Sequence, residues 1–230
     1  MSELLALPED RAYLYEATVD VRLTFIRKVY SLFLVSLLSS TGVTAAVMML
    51  PEVADLAGRY SLVFLLLYIG LSWCSGWIAE QGPVVGAMLL SALSVVTGLV
   101  FGPTISFYAA NVGIGVVYQA LGLTSAIFGG LTVYVFVTKQ DFSFLRGLLW
   151  MGMFAIVAFA VLGMFINFSF ELRHALTLAG VLLFIGFILY DTSNIVHHYR
   201  EDQAIVAAVA IYLDFVILFM KLLRLLSRRD

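Results

Sequence analysis

Two aspartates interrupt the last two apolar runs of this sequence, and their type and spacing suggest proton or cation chemistry. Asp191 lies in "FILYDTSNIVHH", residues 187–198, and Asp214 lies in "AIYLDFVILFM", residues 210–220. If the runs form an antiparallel helical hairpin that turns near residue 202, both aspartates are about 17 Å from the turn at 1.5 Å per residue. Neighbouring helices lie about 8–10 Å apart. The spacing therefore predicts that the two carboxyl groups meet.

A carboxyl pair inside an apolar layer has a specific chemistry. Each ionised Asp near the centre of a spanning helix costs roughly 2.5–3.5 kcal/mol, and an amide pair would provide helix–helix hydrogen bonds at less cost. Two close carboxyl groups cannot both ionise freely at low dielectric, so they share a proton. When deprotonated they form a hard oxygen site, which suits calcium if carbonyls and water complete its shell. Asp191 and Asp214 are thus the predicted proton- and ion-sensing residues and the predicted calcium ligands.

Two further polar residues share a helix face with the first aspartate. Asn194 follows Asp191 by three positions and His198 follows it by seven, so their side chains lie along one face. One interpretation is a supporting polar path from the aspartate pair to the loop. The alternative is that His197 and His198 anchor the end of a helix at the membrane interface.

Composition decides the environment of these helices. The 230 residues are 62% hydrophobic and only 12% charged, whereas a soluble domain is about 25% charged. We therefore expect an all-α integral membrane protein, with helices of about 20 residues across the hydrocarbon layer. The predicted domains are an amphiphilic tail (1–28), a membrane domain (29–226) and a basic C-terminal tail (227–230). Seven spans are predicted in the membrane domain: 29–50, 61–79, 83–101, 115–137, 145–167, 175–198 and 204–226.

Two segments between these spans have no predicted helix. Residues 51–60, with Glu52, Asp55 and Arg59, are expected to form a hydrated loop. "GPTISFYAANVG", residues 102–113, is expected to be an apolar connector or a partly inserted segment, because Gly-Pro marks turns.

Membrane orientation is nearly undetermined by charge. With seven spans, seven Lys and Arg residues lie on the N-terminal side and six on the opposite side. The positive-inside bias does not assign an orientation from numbers this similar. A cytoplasmic N-terminus is expected because the first helix often dominates. Glycines in the apolar runs are expected to allow close helix approach, namely Gly86, Gly98, Gly113, Gly115, Gly129 and Gly130.

Several function classes have no support in the sequence. There is no Walker loop, zinc-ligand spacing, GxSxG elbow, dinucleotide fingerprint or EF-hand, so we expect neither an enzyme nor a bound cofactor. No basic stripe predicts nucleic-acid binding. The single cysteine, Cys74, cannot form an intrachain disulfide. Intramembrane aspartic proteolysis is the alternative chemistry for a carboxyl pair, but Asp214 follows "IYL" rather than Gly-x-Gly.

The motifs around both aspartates resemble a known family. "GFILYDTSNIV" followed by "AIYLDFVILFMKLLRLL" resembles the last two helices of the transmembrane Bax-inhibitor-motif family. "VRLTFIRKVYSLFLVSLL", residues 21–38, is similar to the opening of its lifeguard branch, and "TKQDFSFLRGLLWMGMFAIV", residues 138–157, resembles the loop before its fifth helix. The resemblance implies seven helices, one of them central and wrapped by the others. It also implies a pH-responsive calcium leak with a paired-aspartate sensor at Asp191 and Asp214.

Two functions remain open at this point. The first is a pH-sensitive calcium leak channel in which the aspartate pair controls opening, with calcium as transported or competing ion. The second is a non-conducting regulator that binds other membrane proteins or a membrane protease through its charged N-terminal tail. The expected partners are the lipid bilayer, calcium, protons and other membrane proteins, and no oligomeric state is predicted. We expect a multi-pass protein of a bacterial inner membrane. Transport of another solute coupled to protons would favour an inverted repeat, and none is visible.

Overall fold

The computed structural model describes residues 18–79 and 81–227, and every regular element in them is helical. This confirms the predicted all-α class. Nine α-helices follow one another in these residues: α1 Val19–Met49, α2 Pro51–Arg59, α3 Ser61–Trp73, α4 Ser75–Ala79, α5 Pro83–Asn111, α6 Ile114–Thr138, α7 Arg146–Leu162, α8 Phe170–His197 and α9 Ala204–Leu226. Short 3₁₀ turns at Ser143–Leu145 and Glu201–Gln203 precede α7 and α9.

Six of the described helices are long and apolar enough to cross a membrane: α1, α5, α6, α7 with its 3₁₀ turn, α8, and α9 with its 3₁₀ turn. They correspond to the first and the third to seventh predicted spans. The second predicted span, 61–79, is broken at Cys74 into α3 and α4. A bent pair, α2 with α3 at 72°, raises the number of candidate spans to as many as 7.

The first helix begins earlier than the sequence pattern predicts. It starts at Val19 and has 31 residues, so part of the predicted amphiphilic tail belongs to α1. Residues 1–17 of that tail, and residues 228–230 of the predicted C-terminal tail, lie outside the described residues.

The hydrated loop predicted at residues 51–60 is wrong, because this segment forms α2. Pro51 occupies the first turn of the helix, where its fixed φ and missing N–H are tolerated. Arg59 Nη2 lies 3.2 Å from Asp55 Oδ2, one turn earlier. The three charged residues are exposed and Ala57 is buried, so α2 has the two-faced character of a helix that lies along an interface.

The connector predicted at residues 102–113 is also wrong, because α5 continues through Pro103 to Asn111. A break here would leave backbone N–H and C=O groups without partners in hydrocarbon, which costs more than one missing hydrogen bond. Gly102 also faces Val47 of α1, since a Cβ added there would be 3.0 Å from Val47 Cβ. Tight packing against α1 therefore supports the proline-containing turn.

Helices α1 and α5 run parallel in close contact. Ser94 Oγ donates to Ser39 Oγ at 3.3 Å, and a Cβ added at Gly98 would be 2.6 Å from Val43 Cβ. Together with the Gly102–Val47 contact, these pairs advance in the same direction along both helices. The prediction of close approach is therefore confirmed at Gly98. It is wrong at Gly115, Gly129 and Gly130, which face open space, while Gly113 has φ +109° and forms the turn before α6.

Helix α9 is the most buried candidate span, with 61% of its most apolar window buried. It contacts α1, α5, α6 and α8. Phe215 of α9 packs edge-on against Phe33 of α1 and Phe128 of α6, with ring centroids 5.5 Å apart in each pair. The helix that carries Asp214 therefore has the largest buried share of the six candidate spans.

Candidate functional site

A short turn between α8 and α9 sets the depth of the two aspartates. The backbone N–H of Arg200 donates to Gln203 Oε1 at 3.1 Å, and the N–H of Gln203 donates to the Arg200 carbonyl at 3.0 Å. Arg200 Nε also lies 3.5 Å from Asp202 Oδ1. These local bonds close the connection within a few residues, so α8 and α9 must pack as antiparallel neighbours.

The structure brings Asp191 and Asp214 together. Their side chains are within hydrogen-bonding reach of each other, and the Asn194 amide also reaches Asp191. Asp214 is only 5% exposed, and its Oδ2 atom makes no hydrogen bond in the described structure. Because two buried carboxylates in contact repel each other, a shared proton or a cation stabilises this pair.

Three tyrosines lie around the pair, and the sequence did not predict their place in the site. They are Tyr68, Tyr199 and Tyr212. Tyr68 of α3 lies close to Tyr212 and Asp214, and its ring meets that of Phe101 edge-on. Tyr199, just after α8, lies close enough to both aspartates to sense their charge. Burial, and then the negative charge of Asp191, raises the pKa of Tyr199 above its ordinary value, so this phenol stays neutral.

The predicted polar path runs from the aspartate pair toward the N-terminal side. Asn194 lies one turn beyond Asp191, and His198 Nε2 lies 3.6 Å from Asp141 Oδ2 in the loop after α6. The His198 and Asp141 side chains are 47% and 45% exposed. The structure thus places Asn194 beside the aspartate pair and His198 beside Asp141 near the surface, and the polar path between them stays a prediction.

Asp141 itself does not have the properties of a sensor near neutral pH. Burial alone would raise its pKa, but hydrogen bonds from Ser143 and the charges of His198 and His197 lower it below the ordinary value. A lowered pKa means that the carboxylate contributes its stabilisation above about pH 4 and loses it only in more acid solution. Asp141 therefore stays ionised between about pH 6 and 8.

On the other side of the pair, hydroxyl groups separate it from a cavity. Tyr212, two residues before Asp214, points at the hydroxyls of Ser40 and Thr97, without a hydrogen bond of standard geometry. Ser40 and Thr97 also line a cavity of about 480 Å³ between α1, α5, α6 and α9. Most of its wall is apolar, and it extends to Met49 near the end of α1.

The protein supplies few ligands for a tightly held metal ion. Residues 18–79 and 81–227 contain no group of three or more His, Cys, Asp or Glu side chains placed to hold one. The aspartate pair supplies two carboxylates, and Asn194 adds one amide oxygen. Calcium needs 6–8 oxygen ligands, so any calcium here would keep much of its shell from water and carbonyls.

Comparison with known proteins identifies relatives over nearly the whole chain. The family described as Bax1-I, "Inhibitor of apoptosis-promoting Bax1", matches residues 22–230. An uncharacterized protein of Campylobacter jejuni is 34% identical over 206 residues, covering 88% of this chain and 87% of the relative. Protein lifeguard 4 of Mus musculus is 31% identical over 215 residues, covering 92% and 87%.

The similarity extends to a viral protein. The Golgi anti-apoptotic protein of Vaccinia virus (strain Lister) is 30% identical over 214 residues, covering 92% of this chain and 88% of the relative. Bacterial, animal and viral relatives thus align over 88% to 92% of this chain. This chain is therefore a member of the Bax inhibitor and lifeguard family of multi-pass membrane proteins.

Proposed function

We propose that this protein is a pH-sensitive calcium leak channel, in which Asp191 and Asp214 control opening. The observation that carries the proposal is the contact of two carboxyl groups inside the α8–α9 hairpin. A proton shared by the pair holds the two helices together. When that proton leaves, the two charges repel and attract a divalent cation. No catalytic step and no resident cofactor are part of this proposal.

The polar groups on both sides of the pair support a route for the ion. From the N-terminal side, His198 and Asp141 lead through Asn194 to the pair. From the opposite side, the cavity of about 480 Å³ reaches Ser40 and Thr97. Tyr212 is buried, two residues before Asp214, with its hydroxyl near Ser40 and Thr97, and this supports a closed state for the proposed channel.

The proposal includes a topology of seven crossings around α9. Because α1 and α5 are parallel, the chain between them must return across the membrane. Only α2, α3 and α4 are available for that return. The bacterial relatives favour a bacterial inner membrane, with the N-terminus on the cytoplasmic side.

Calcium flux from liposomes tests this function. The full chain is reconstituted with a calcium dye, and flux is measured between about pH 6 and 8. We expect the pH dependence to flatten in Asp191→Asn and Asp214→Asn, because an amide cannot ionise. Asp55→Asn, which removes an exposed carboxylate from α2, is the matched control and should keep the parent profile. Flux that is independent of pH, and unchanged in both Asn variants, would rule the proposal out.

The relatives' names favour a second candidate, a non-conducting regulator of other membrane proteins. One relative is named an anti-apoptotic protein, which concerns cell survival rather than conduction. Under this alternative the charged N-terminal segment docks a partner. Deleting residues 2–17 should then abolish regulation, whereas the leak channel should retain its flux in liposomes. These segment residues lie outside the described structure.

A further inference from the structure

A second cavity lies at the opposite end of the bundle from the His198–Asp141 pair. It has a volume of about 360 Å³ and lies between the end of α7, the start of α8 and the end of α9. Arg173, Lys221 and Arg224 line one part, and Phe159 of α7 contributes to the apolar wall. A basic and an apolar surface therefore meet in one cavity.

The three cations have no counter-ion among the residues that the structure describes. No ion pair of Arg173, Lys221 or Arg224 forms within the described residues, and the residues lining the cavity include no Asp or Glu. Arg224 is close enough to Lys221 for their charges to repel. Glu171, the acidic residue nearest in sequence, is engaged with Ser169 at the start of α8. An anion from outside the protein would relieve this repulsion.

The fold holds Lys221 in the cavity rather than letting it extend freely to the interface. Its side chain lies across Gly180 of α8, and a Cβ added at Gly180 would be 3.1 Å from Lys221 Cε and 3.2 Å from Nζ. Arg173 is seven residues before Gly180 on the same helix, so both lie on the face that borders the cavity. The absence of a side chain at Gly180 makes room for the lysine.

The depth of the cavity indicates the source of the anion. Arg224 is in the last turn of α9 and Arg173 in the first turns of α8, which is the level of lipid headgroups for spanning helices. Basic pockets between spanning helices bind anionic headgroups, and Phe159 with the neighbouring α7 wall suits an acyl chain. We propose that this cavity binds one anionic phospholipid, whose phosphate group contacts Lys221, Arg224 and Arg173. This binding is independent of the proposed calcium leak.

Lipid binding to the purified full chain tests the proposal. The protein in neutral detergent is titrated with dioleoyl phosphatidylglycerol or dioleoyl phosphatidylcholine, and bound lipid is counted by native mass spectrometry. We expect phosphatidylglycerol to bind at least tenfold more tightly than phosphatidylcholine. Because each cation near a headgroup contributes about fivefold in affinity, Lys221→Gln with Arg224→Gln should weaken phosphatidylglycerol binding by about tenfold or more. Equal binding of both lipids would overturn the proposal.

The control removes the same charge elsewhere. Arg27→Gln with Lys28→Gln changes two exposed cations of α1 and should leave lipid affinity unchanged. An equal loss in both double variants would show that only net charge matters and would contradict a specific site. A third arm adds millimolar inorganic phosphate, which should not displace the lipid. Displacement by phosphate alone would assign the cavity to a free anion and overturn the lipid proposal.

Gly180→Ala provides a variant that keeps every charge. The added methyl group displaces the flexible end of Lys221, so the helix tolerates it while the ammonium group moves. We expect a loss of about two- to fivefold in phosphatidylglycerol affinity. Gly129→Ala on α6, where nothing lies within 4 Å, should leave the affinity unchanged. Unchanged binding in Gly180→Ala and in the Lys221→Gln, Arg224→Gln variant would exclude these residues from the site.

Discussion

Tyr212 carries a buried hydroxyl group with no hydrogen bond of standard geometry, at the point where the aspartate pair meets the cavity. Such a hydroxyl costs about 1–3 kcal/mol to bury without a partner. Tyr212→Phe should therefore leave the melting temperature unchanged or raise it. In the proposed channel the hydroxyl is the oxygen that a passing ion meets between Asp214 and Thr97. We expect calcium flux to fall about two- to tenfold.

Tyr60→Phe is the control for this prediction, because the Tyr60 side chain is 46% exposed between α2 and α3 and does not line the cavity. It should change neither flux nor melting temperature. A Tyr212→Phe protein that conducts like the parent would place the ion route elsewhere. A large loss of stability would instead show that the hydroxyl is satisfied by groups that the described conformation does not pair with it.

The aspartate pair was predictable from sequence and the tyrosines around it were not. Asp191 and Asp214 stand out because charge in an apolar run is rare, and equal distances from one turn place them at one depth. Tyr68 reaches the pair only through the packing of α3 against α5, and tyrosine is common at the membrane interfaces of such proteins. Its position in the sequence therefore carries no signal of its role. Asp141 likewise has no signal in the sequence, because its place beside His198 depends on the bonds that Ser193 makes with its loop.

At the scale of elements, glycine contacts fix how α1 meets α5. A Cβ at Gly98 would lie 2.6 Å from Val43 Cβ and 2.8 Å from the Ser40 carbonyl oxygen. Neither atom can move without shifting α1, so overpacking costs about 1–3 kcal/mol. This exceeds the gain of up to about 1 kcal/mol from replacing glycine by alanine within a helix. Gly98→Ala should lower the melting temperature, measured by intrinsic fluorescence in detergent.

Gly129→Ala serves as the matched variant for α1–α5 packing. Its Cβ meets nothing within 4 Å, so the helix-propensity gain is not opposed and the melting temperature should stay constant or rise. Equal behaviour of the two variants would contradict the close approach of α1 and α5.

A buried serine of α8 binds the loop after α6. Ser193 is fully buried, accepts from the Phe142 N–H at 2.9 Å and donates to the Gln140 carbonyl at 3.3 Å. Ser193→Ala leaves both groups without this partner, at a cost of about 1–3 kcal/mol. We expect faster hydrogen exchange at the Phe142 amide and a lower melting temperature. Ser91→Ala removes only a bond to the Ala87 carbonyl within α5, and should affect neither measurement.

The errors of sequence interpretation at this scale share a physical cause. Gly102-Pro103 marks a turn in water, where broken backbone groups bind solvent, but lipid offers no such partner and the helix continues. Residues 51–60 look like a loop because they are charged, yet Asp55 and Arg59 are spaced to pair on a helix. Local residue types predict helix breaks. The surrounding medium sets the free-energy cost of such a break, which is low in water and high in lipid.

At the scale of the whole molecule, the parallel α1–α5 pair supports the proposed topology of seven crossings. If α1 and α5 were antiparallel, residues 50–82 could stay on one side of the membrane, and the number of crossings would be even. The contacts Ser39–Ser94, Val43–Gly98 and Val47–Gly102 exclude that arrangement within the described bundle. The numbers of Lys and Arg residues on the two sides, seven and six, do not determine the topology. The positive-inside bias depends on a difference between the two sides, and this chain has almost none.

Labelling of single cysteines tests the seven-crossing topology. On a Cys74→Ser background, Glu52→Cys, Gln81→Cys, Asp141→Cys and Ser227→Cys are treated with a membrane-impermeant maleimide in sealed vesicles of one orientation. Because α3 and α4 return the chain across the bilayer, Glu52→Cys and Ser227→Cys should label from one side. Gln81→Cys and Asp141→Cys should label only from the other side. If Gln81→Cys reacts together with Glu52→Cys, the segment between α1 and α5 does not cross, and α1 and α5 cannot both be parallel spans.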